Sequence, residues 1–258
     1  MAKVKKNGAA HTSRSQLPYH LMLAPGMLFL LLFHIVPMGG LIMAFQNYVP
    51  IKGLLGSDYV GLKNFQRLFR LPTFWNVLKN TVVISVSKLV LVTLAAIVFA
   101  LLLNECRNLK FKRIIQTTVY LPHFLSWVIL AVMFSNLFSY TGIINQLAGL
   151  CGREPEMFMI SNQWFRKILI GGEVWKEFGY GAIIFIAALM GINPELYEAA
   201  SVDGAGRLAK IWHITLPSIR VTIVMVATLN IANILNAGFA QIYNMYSPVV
   251  YQSGDIID

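Results

Sequence analysis

Near the end of the chain three asparagines recur every third residue, Asn230, Asn233 and Asn236, among otherwise apolar neighbours. On a helix this spacing draws one slowly drifting stripe. A carboxamide both donates and accepts hydrogen bonds, so the stripe either lines a path for a hydroxyl-rich solute such as a sugar or bonds one helix to another inside a membrane. Ser126, Trp127, Ser135 and Asn136 form a second polar and aromatic group. The Trp127 indole could stack on a pyranose face, and it could equally pack or anchor at an interface. Lys88 stands in a long apolar run with no carboxylate nearby in sequence. It is either a functional ammonium or one that snorkels or pairs with carbonyls. His34, His123 and His213 are isolated and read as structural hydrogen-bonders.

Catalytic patterns are missing. The sequence holds no G-x-x-x-x-G-K-[ST] phosphate loop, no His and Glu at zinc spacing and no nucleophile elbow. Read this way the chain is no enzyme, carries no catalytic residue or metal site, and binds no cofactor of its own. Cys106 and Cys151 fall on opposite sides of the membrane in the topology below and read as free thiols.

The elements that must position these residues are membrane helices. Hydrophobic residues make up 57% of the chain and charged ones 12%, against about 25% charged in ordinary soluble domains. Mean hydropathy is +0.63. Apolar runs reach the roughly 20 residues a helical span needs and lack the alternation of barrel strands. The fold class is therefore an all-α integral membrane protein. Five spans are readable, at 21–45, 77–103, 117–138, 168–190 (with a polar outer end at Glu173 to Glu177) and 219–240. Residues 1–20 read as a basic cytoplasmic tail, 21–45 as the first transmembrane helix and 46–76 as an extracytoplasmic loop with a short helix around Phe65 that lies either at the interface or in solvent. Residues 77–258 read as the core, with a cytoplasmic loop at 191–218.

The formal net charge of +10 does not indicate nucleic acid, because Lys and Arg are scattered through loops rather than gathered in a stripe. With the N-terminus inside, the inner segments hold eleven Lys and Arg and the outer ones nine. The inner charges lie in shorter segments near span ends, where the positive-inside rule operates.

The loop between the fourth and fifth spans is the most patterned stretch. Asn193 suits an N-cap, Pro194 the first helical position, and Glu195 and Glu198 the positive end of a helix dipole. Gly204 can end that helix in the left-handed conformation. A second amphipathic segment then brings Leu208, Ile211 and Trp212 together, and Pro217 is expected to close it before the next span.

Glu198-Ala199-Ala200, three residues, Gly204, nine residues, Ile214, one residue, Leu216-Pro217 resembles the signature loop of the permease subunits of bacterial binding-protein-dependent type I ABC importers. Gly61-Leu62-Lys63-Asn64-Phe65, Phe74-Trp75 through Asn80-Thr81, and Tyr120-Leu121-Pro122 resemble the branch that imports oligosaccharides and polysaccharide fragments. The resemblance runs over roughly residues 15 to 258.

It implies a transmembrane subunit in a bacterial cell membrane, paired with a second homologous permease, two cytoplasmic ATPase subunits that bind ATP and Mg, and an extracytoplasmic solute-binding lipoprotein. It implies ATPase coupling through Glu198, Ala199, Ala200, Asp203, Gly204, Ile214, Leu216 and Pro217. The substrate path would draw on Asn230, Asn233, Asn236, Trp127, Asn136 and Lys88. Members of the family continue into a sixth helix after the fifth span, and that helix is expected to be absent from this chain. An importer of a peptide or amino acid is the alternative within the class. An ATP-independent transporter or scaffold is the alternative outside it.

Overall fold

The computed structural model describes residues 9–232 and 234–257, with side chains from Gln16 onward. It is predominantly helical and divides into two units, Met1–Pro72 and Thr73–Asp258.

In the first unit, helix α1 (Ala9–Leu30) continues through a π-helical turn at Leu31–Ile35 and a 3-10 segment at Gly39–Phe45. The helix therefore starts inside the stretch read as a tail. Gln46–Asn47 and Asp58–Tyr59 pair as a short antiparallel ladder, and α2 covers Lys63–Phe69. Asn64 of the sequence motif donates to the carbonyls of Ala44 (3.0 Å) and Gln46 (2.9 Å), fixing α2 beneath the end of the span.

The second unit opens with α3 (Pro72–Glu105), which begins earlier than the apolar run because Pro72 is preset for a first helical position. Helices α4 (Leu109–Tyr120) and α5 (Trp127–Leu137) replace the single span expected at 117–138 and meet at a bend of 102°. The cause is local. Pro122 lacks a backbone donor, Leu125 is extended, and the Ser126 hydroxyl accepts from the Ile129 amide to start a new helix. After α6 (Ile143–Leu150) comes α7 (Asn162–Met190), a single helix of 29 residues. Because α7 starts at Asn162, the Glu173 to Glu177 segment lies halfway along it rather than at its outer end.

A bend of 69° leads from α7 to α8 (Pro194–Val202). Helix α9 runs from Arg207 to Ile231 without stopping at Pro217, contrary to expectation. A π-helical turn at Ile211–Thr215 precedes the proline and absorbs its missing donor, much as Leu31–Ile35 precedes Pro37. The helix then ends at Ile231, short of the expected 240, and α10 (Phe239–Met245) and α11 (Tyr251–Gly254) follow. Among the described residues three helices are long and apolar enough to cross a membrane, or five if each bent pair is one span.

Two hydrophobic clusters hold the second unit together. The first gathers Ile84, Leu130, Phe134, Phe165, Leu169 and Ile242, and the second Ala96, Ala100, Ala182, Phe185, Leu189 and Ile219. Along both α3 and α7 the clusters are separated by a buried polar layer containing Lys88 and Lys176.

The segment after α10 is pinned back onto α3. Asn80 donates to the carbonyls of Gln252 (3.0 Å) and Asp255 (3.1 Å) and accepts from Arg166 (2.6 Å), while Thr81 accepts from the Ile257 amide (3.0 Å). Tyr246 donates to Asp255 at 3.2 Å. Burial first and the Asp255 charge second push that phenol well above its ordinary pKa, so it keeps its proton.

Helices α4 and α7 touch at Gly179, where a Cβ would stand 2.4 Å from the Val119 carbonyl oxygen. Gly179→Ala should therefore destabilise the unit by about 1–3 kcal/mol through overpacking. Gly171→Ala, which meets open space, is the control expected to leave the thermal midpoint in detergent unchanged.

Candidate functional site: a polar cleft at mid-helix and an exposed loop helix

Glu173 and Glu177 are four residues apart on α7 and share a face. Each belongs to a lysine that is buried in the polar layer. Lys88, halfway along α3, is 7% exposed. Its ammonium has three donors and three acceptors around it: the Ala237 carbonyl (2.6 Å), the Gln241 side-chain oxygen (2.5 Å) and the Glu173 carboxylate (3.3 Å). Among the described residues Glu173 Oε2 has no directed hydrogen-bond partner, and its contact with Lys88 is one of charge. Gln241 in turn donates to the Leu169 carbonyl of α7 at 2.8 Å.

The second lysine repeats the arrangement at the other break. Lys176 donates to the His123 carbonyl (2.8 Å) and to Glu177 Oε1 (2.7 Å). His123 Nδ1 lies 2.7 Å from Glu177 Oε2, and its ring stacks on Tyr180 at 3.8 Å. Both broken stretches thus have a backbone carbonyl met by a lysine, which matters because an unsatisfied carbonyl away from water costs several kcal/mol.

Beside this layer lies a cleft of about 410 Å³, lined by Lys88, Glu173, Glu177 and Tyr180 together with Asn230, Asn236, Ala237 and Gly238. Its floor is the non-helical stretch after α9, where Gly238 has φ +98° and a Cβ would meet Lys88 Nζ at 2.8 Å. Donors, acceptors and one aromatic face are therefore combined in a space with apolar flanks from α3 and α9.

Of the six residues expected on the path, Lys88, Asn230 and Asn236 line the cleft. The stripe itself is corrected: α9 stops at Ile231, and the Asn236 side chain accepts from the Gly238 amide (3.1 Å) inside the break. Asn233 lies outside the described residues. Trp127 does not line the cleft but packs against the first cluster near Phe134, with the Lys176 ammonium 5.9 Å from its ring. Asn136 is exposed near the end of α5, its carbonyl accepting from Ser139.

Sequence reasoning missed Glu173, Glu177, Lys176, His123 and Tyr180 as one group. The available signal was the run Glu173, Lys176, Glu177 within an otherwise apolar span.

Helix α8 follows the sequence expectation closely. The Asn193 side chain accepts from the Glu195 amide at 3.1 Å, Pro194 opens the helix, and Gly204 turns it with φ +76°. Glu198, Ala199, Asp203 and Gly204 are exposed and Ala200 is half-buried. Val202 is 89% exposed. Ile214 and Leu216 instead turn inward at the foot of α9, Leu216 against the second cluster, while Pro217 is exposed. Tyr197 meets Thr215 at 2.9 Å and Lys210 donates to Ser201 at 2.6 Å, which ties α8 back to that foot.

Lys88→Met would leave Glu173 without its counter-charge, and breaking a buried pair costs about 3–5 kcal/mol. Lys88→Met combined with Glu173→Gln should recover the part of the loss owed to the unpaired carboxylate, but not the part owed to the Ala237 carbonyl, in a double-mutant cycle of thermal stability. Full additivity would show the pair to be uncoupled.

The family model described as "Binding-protein-dependent transport system inner membrane component" matches residues 92–252. The polygalacturonan/rhamnogalacturonan transport system permease protein YteP of Bacillus subtilis (strain 168) is 44% identical, over 93% of this chain and 75% of its own length. A chain of a bacterial ABC transporter involved in the import of the acidic polysaccharide alginate superposes with TM-score 0.85 at 36% identity, covering 94% of this chain and 82% of the other. A chain of the alginate transporter in complex with its alginate pentasaccharide-bound periplasmic protein gives TM-score 0.86 at 36% identity, over 94% and 81%. With more than half of its length matched by the family model and a fold shared with solved importers, the chain belongs to the family of inner-membrane components of binding-protein-dependent transport systems.

Proposed function

We propose that this chain is one of two transmembrane subunits of an ATP-driven importer that passes oligosaccharides from an extracytoplasmic binding protein into the cytoplasm. The observation that carries the reading is a capped, solvent-exposed helix, α8, set between α7 and α9, which together with α3 and the break after α9 line a polar cleft. Relatives whose names specify pectic polysaccharides, arabinooligosaccharides and alginate support a glycan as the solute. The alginate transporter in complex with a loaded periplasmic protein supports an extracytoplasmic partner.

In this reading the N-terminus and α8 face the cytoplasm. Lys176 leaves the count of outer charges, since it is 7% exposed in the middle of α7, and the inner excess of Lys and Arg grows accordingly. ATP and Mg bind in two ATPase subunits, a second permease completes the path, and this chain performs no catalysis. Glu198, Ala199, Ala200, Asp203 and Gly204 supply the ATPase contact: methyl side chains let a partner approach the backbone, and two carboxylates offer charges to a basic surface. Ile214, Leu216 and Pro217 seat that contact on α9. Closure of the ATPase pair moves α8 and opens the cleft outward, where Asn230, Asn236, Glu173, Glu177 and Tyr180 accept and donate to sugar hydroxyls.

Three outcomes test the reading in the complex purified from native membranes and reconstituted in proteoliposomes. Copurification of a nucleotide-binding subunit and a second permease is expected, with ATPase stimulated by sugar-loaded binding protein; a lone polypeptide in a detergent that preserves a control importer would overturn it. Gly204→Pro forces a φ near −65° where the chain has +76°, and Glu198→Lys reverses a docking charge. Either should abolish uptake while the binding protein keeps its affinity for sugar, and normal uptake by both would sink the coupling assignment. Asn230→Leu should raise the KM for uptake by roughly tenfold, the worth of one or two net hydrogen bonds, with sugar-stimulated ATPase at saturation unchanged.

A further inference from the structure

Helix α7 is bonded to both breaks in the second unit, and it leads directly into α8. Its inner end, Met190, is three residues from the N-cap Asn193. At the outer end it begins at Asn162, and it contains no proline and no break. Halfway along, Lys176 holds the His123 carbonyl at 2.8 Å and Glu177 holds the His123 ring at 2.7 Å, so the α4–α5 break is fastened to α7 by two bonds from adjacent residues. One turn earlier, Glu173 pairs with Lys88 and the Leu169 carbonyl takes the Gln241 amide, so the α9–α10 break is fastened to the same helix. Gly179 presses α4 against α7 with no room for a Cβ between them.

A helix breaks easily where its carbonyls are already held by a side chain, and a held break cannot move apart from its holder. We infer that Lys176 is a positioning residue for transport: through its bond to the His123 carbonyl, with Glu177 on the ring, it makes α7 a strut that carries a displacement of α8 to the α4–α5 break, whose His123 ring stacks on the cleft residue Tyr180. Lys88 and Gln241 do the same for the α9–α10 break. Lys176 itself does not line the cleft, which separates its role from that of a sugar ligand. The inference rests on the importer reading above, and specifies how the stroke reaches the path.

The test is the stoichiometry of transport in the intact reconstituted complex with binding protein and glycan. Lys176→Met removes the bond to His123 and leaves Glu177 paired with the imidazole. It should assemble, keep its sugar-stimulated ATPase, and import about tenfold less sugar per ATP, within the range of ordinary coupling energies. Lys176→Arg, which keeps charge and donors, should restore most of the ratio. A strut residue of merely structural importance would lower ATPase and uptake together, leaving the ratio intact, and that result would overturn the inference.

A second measurement leaves the clamp untouched. Spin labels at Met190 and Leu121, both exposed, should report one unchanged distance in the resting and ATP-trapped states of the otherwise wild-type complex. A shift between the states would overturn the strut even if Lys176→Met failed to assemble. Failure of the importer reading looks different: the unmodified complex would then show no sugar-stimulated ATPase at all.

Discussion

A backbone carbonyl left without a donor inside a membrane is costly, and the second unit is arranged around two such carbonyls. Ala237 is fully buried beyond the end of α9, and its oxygen is met by Lys88 at 2.6 Å. His123 precedes the turn into α5, and its oxygen is met by Lys176 at 2.8 Å. Lysine suits the task because its ammonium is compact and has donors to spare for a glutamate beside the carbonyl. The charge then needs its own partner, which Glu173 and Glu177 supply from one face of α7.

This constraint explains why the packing has two apolar layers and a polar one between them. The cluster around Phe165 and Phe134 and the cluster around Phe185 and Ala100 are each built of buried apolar side chains. Neither could accept an ion pair without the desolvation penalty that makes buried charges costly. Charge is therefore gathered into one layer at the middle of α3 and α7, where irregular backbone and cleft surface share it. Non-helical backbone at membrane depth is tolerated where it lines a cavity, and the Asn236 to Gly238 stretch does line one.

The loop helix solves a different problem. Helix α8 is only nine residues long, too short to be stable alone in water. It persists because its first amides meet the Asn193 side chain, its last carbonyls are met beyond Gly204 by the Ala205 amide at 2.8 Å, and Tyr197 and Ser201 anchor it to the foot of α9. Those anchors lie on one side, so the side carrying Glu198, Ala199 and Val202 remains open.

The local pattern of the sequence was enough for the membrane class, the caps of α8, the turn at Gly204 and the membership of Lys88, Asn230 and Asn236 in a polar site, because these follow from composition, capping chemistry and the rarity of polar side chains in apolar runs. It misplaced the ends of several helices, since hydropathy marks where residues are apolar and not where the backbone stops being helical. The bend at Ser126 starts from local residues but is held by Lys176, 50 residues away, and the stop at Ile231 is met by a bond to Lys88, more than 140 residues away. The same distance hid the pairing of Lys88 with Glu173 and the exclusion of Trp127 and Asn136 from the cleft. Local signals report the preferences of a segment; which carbonyls may be released from their helix is decided by the donors that tertiary packing brings to them.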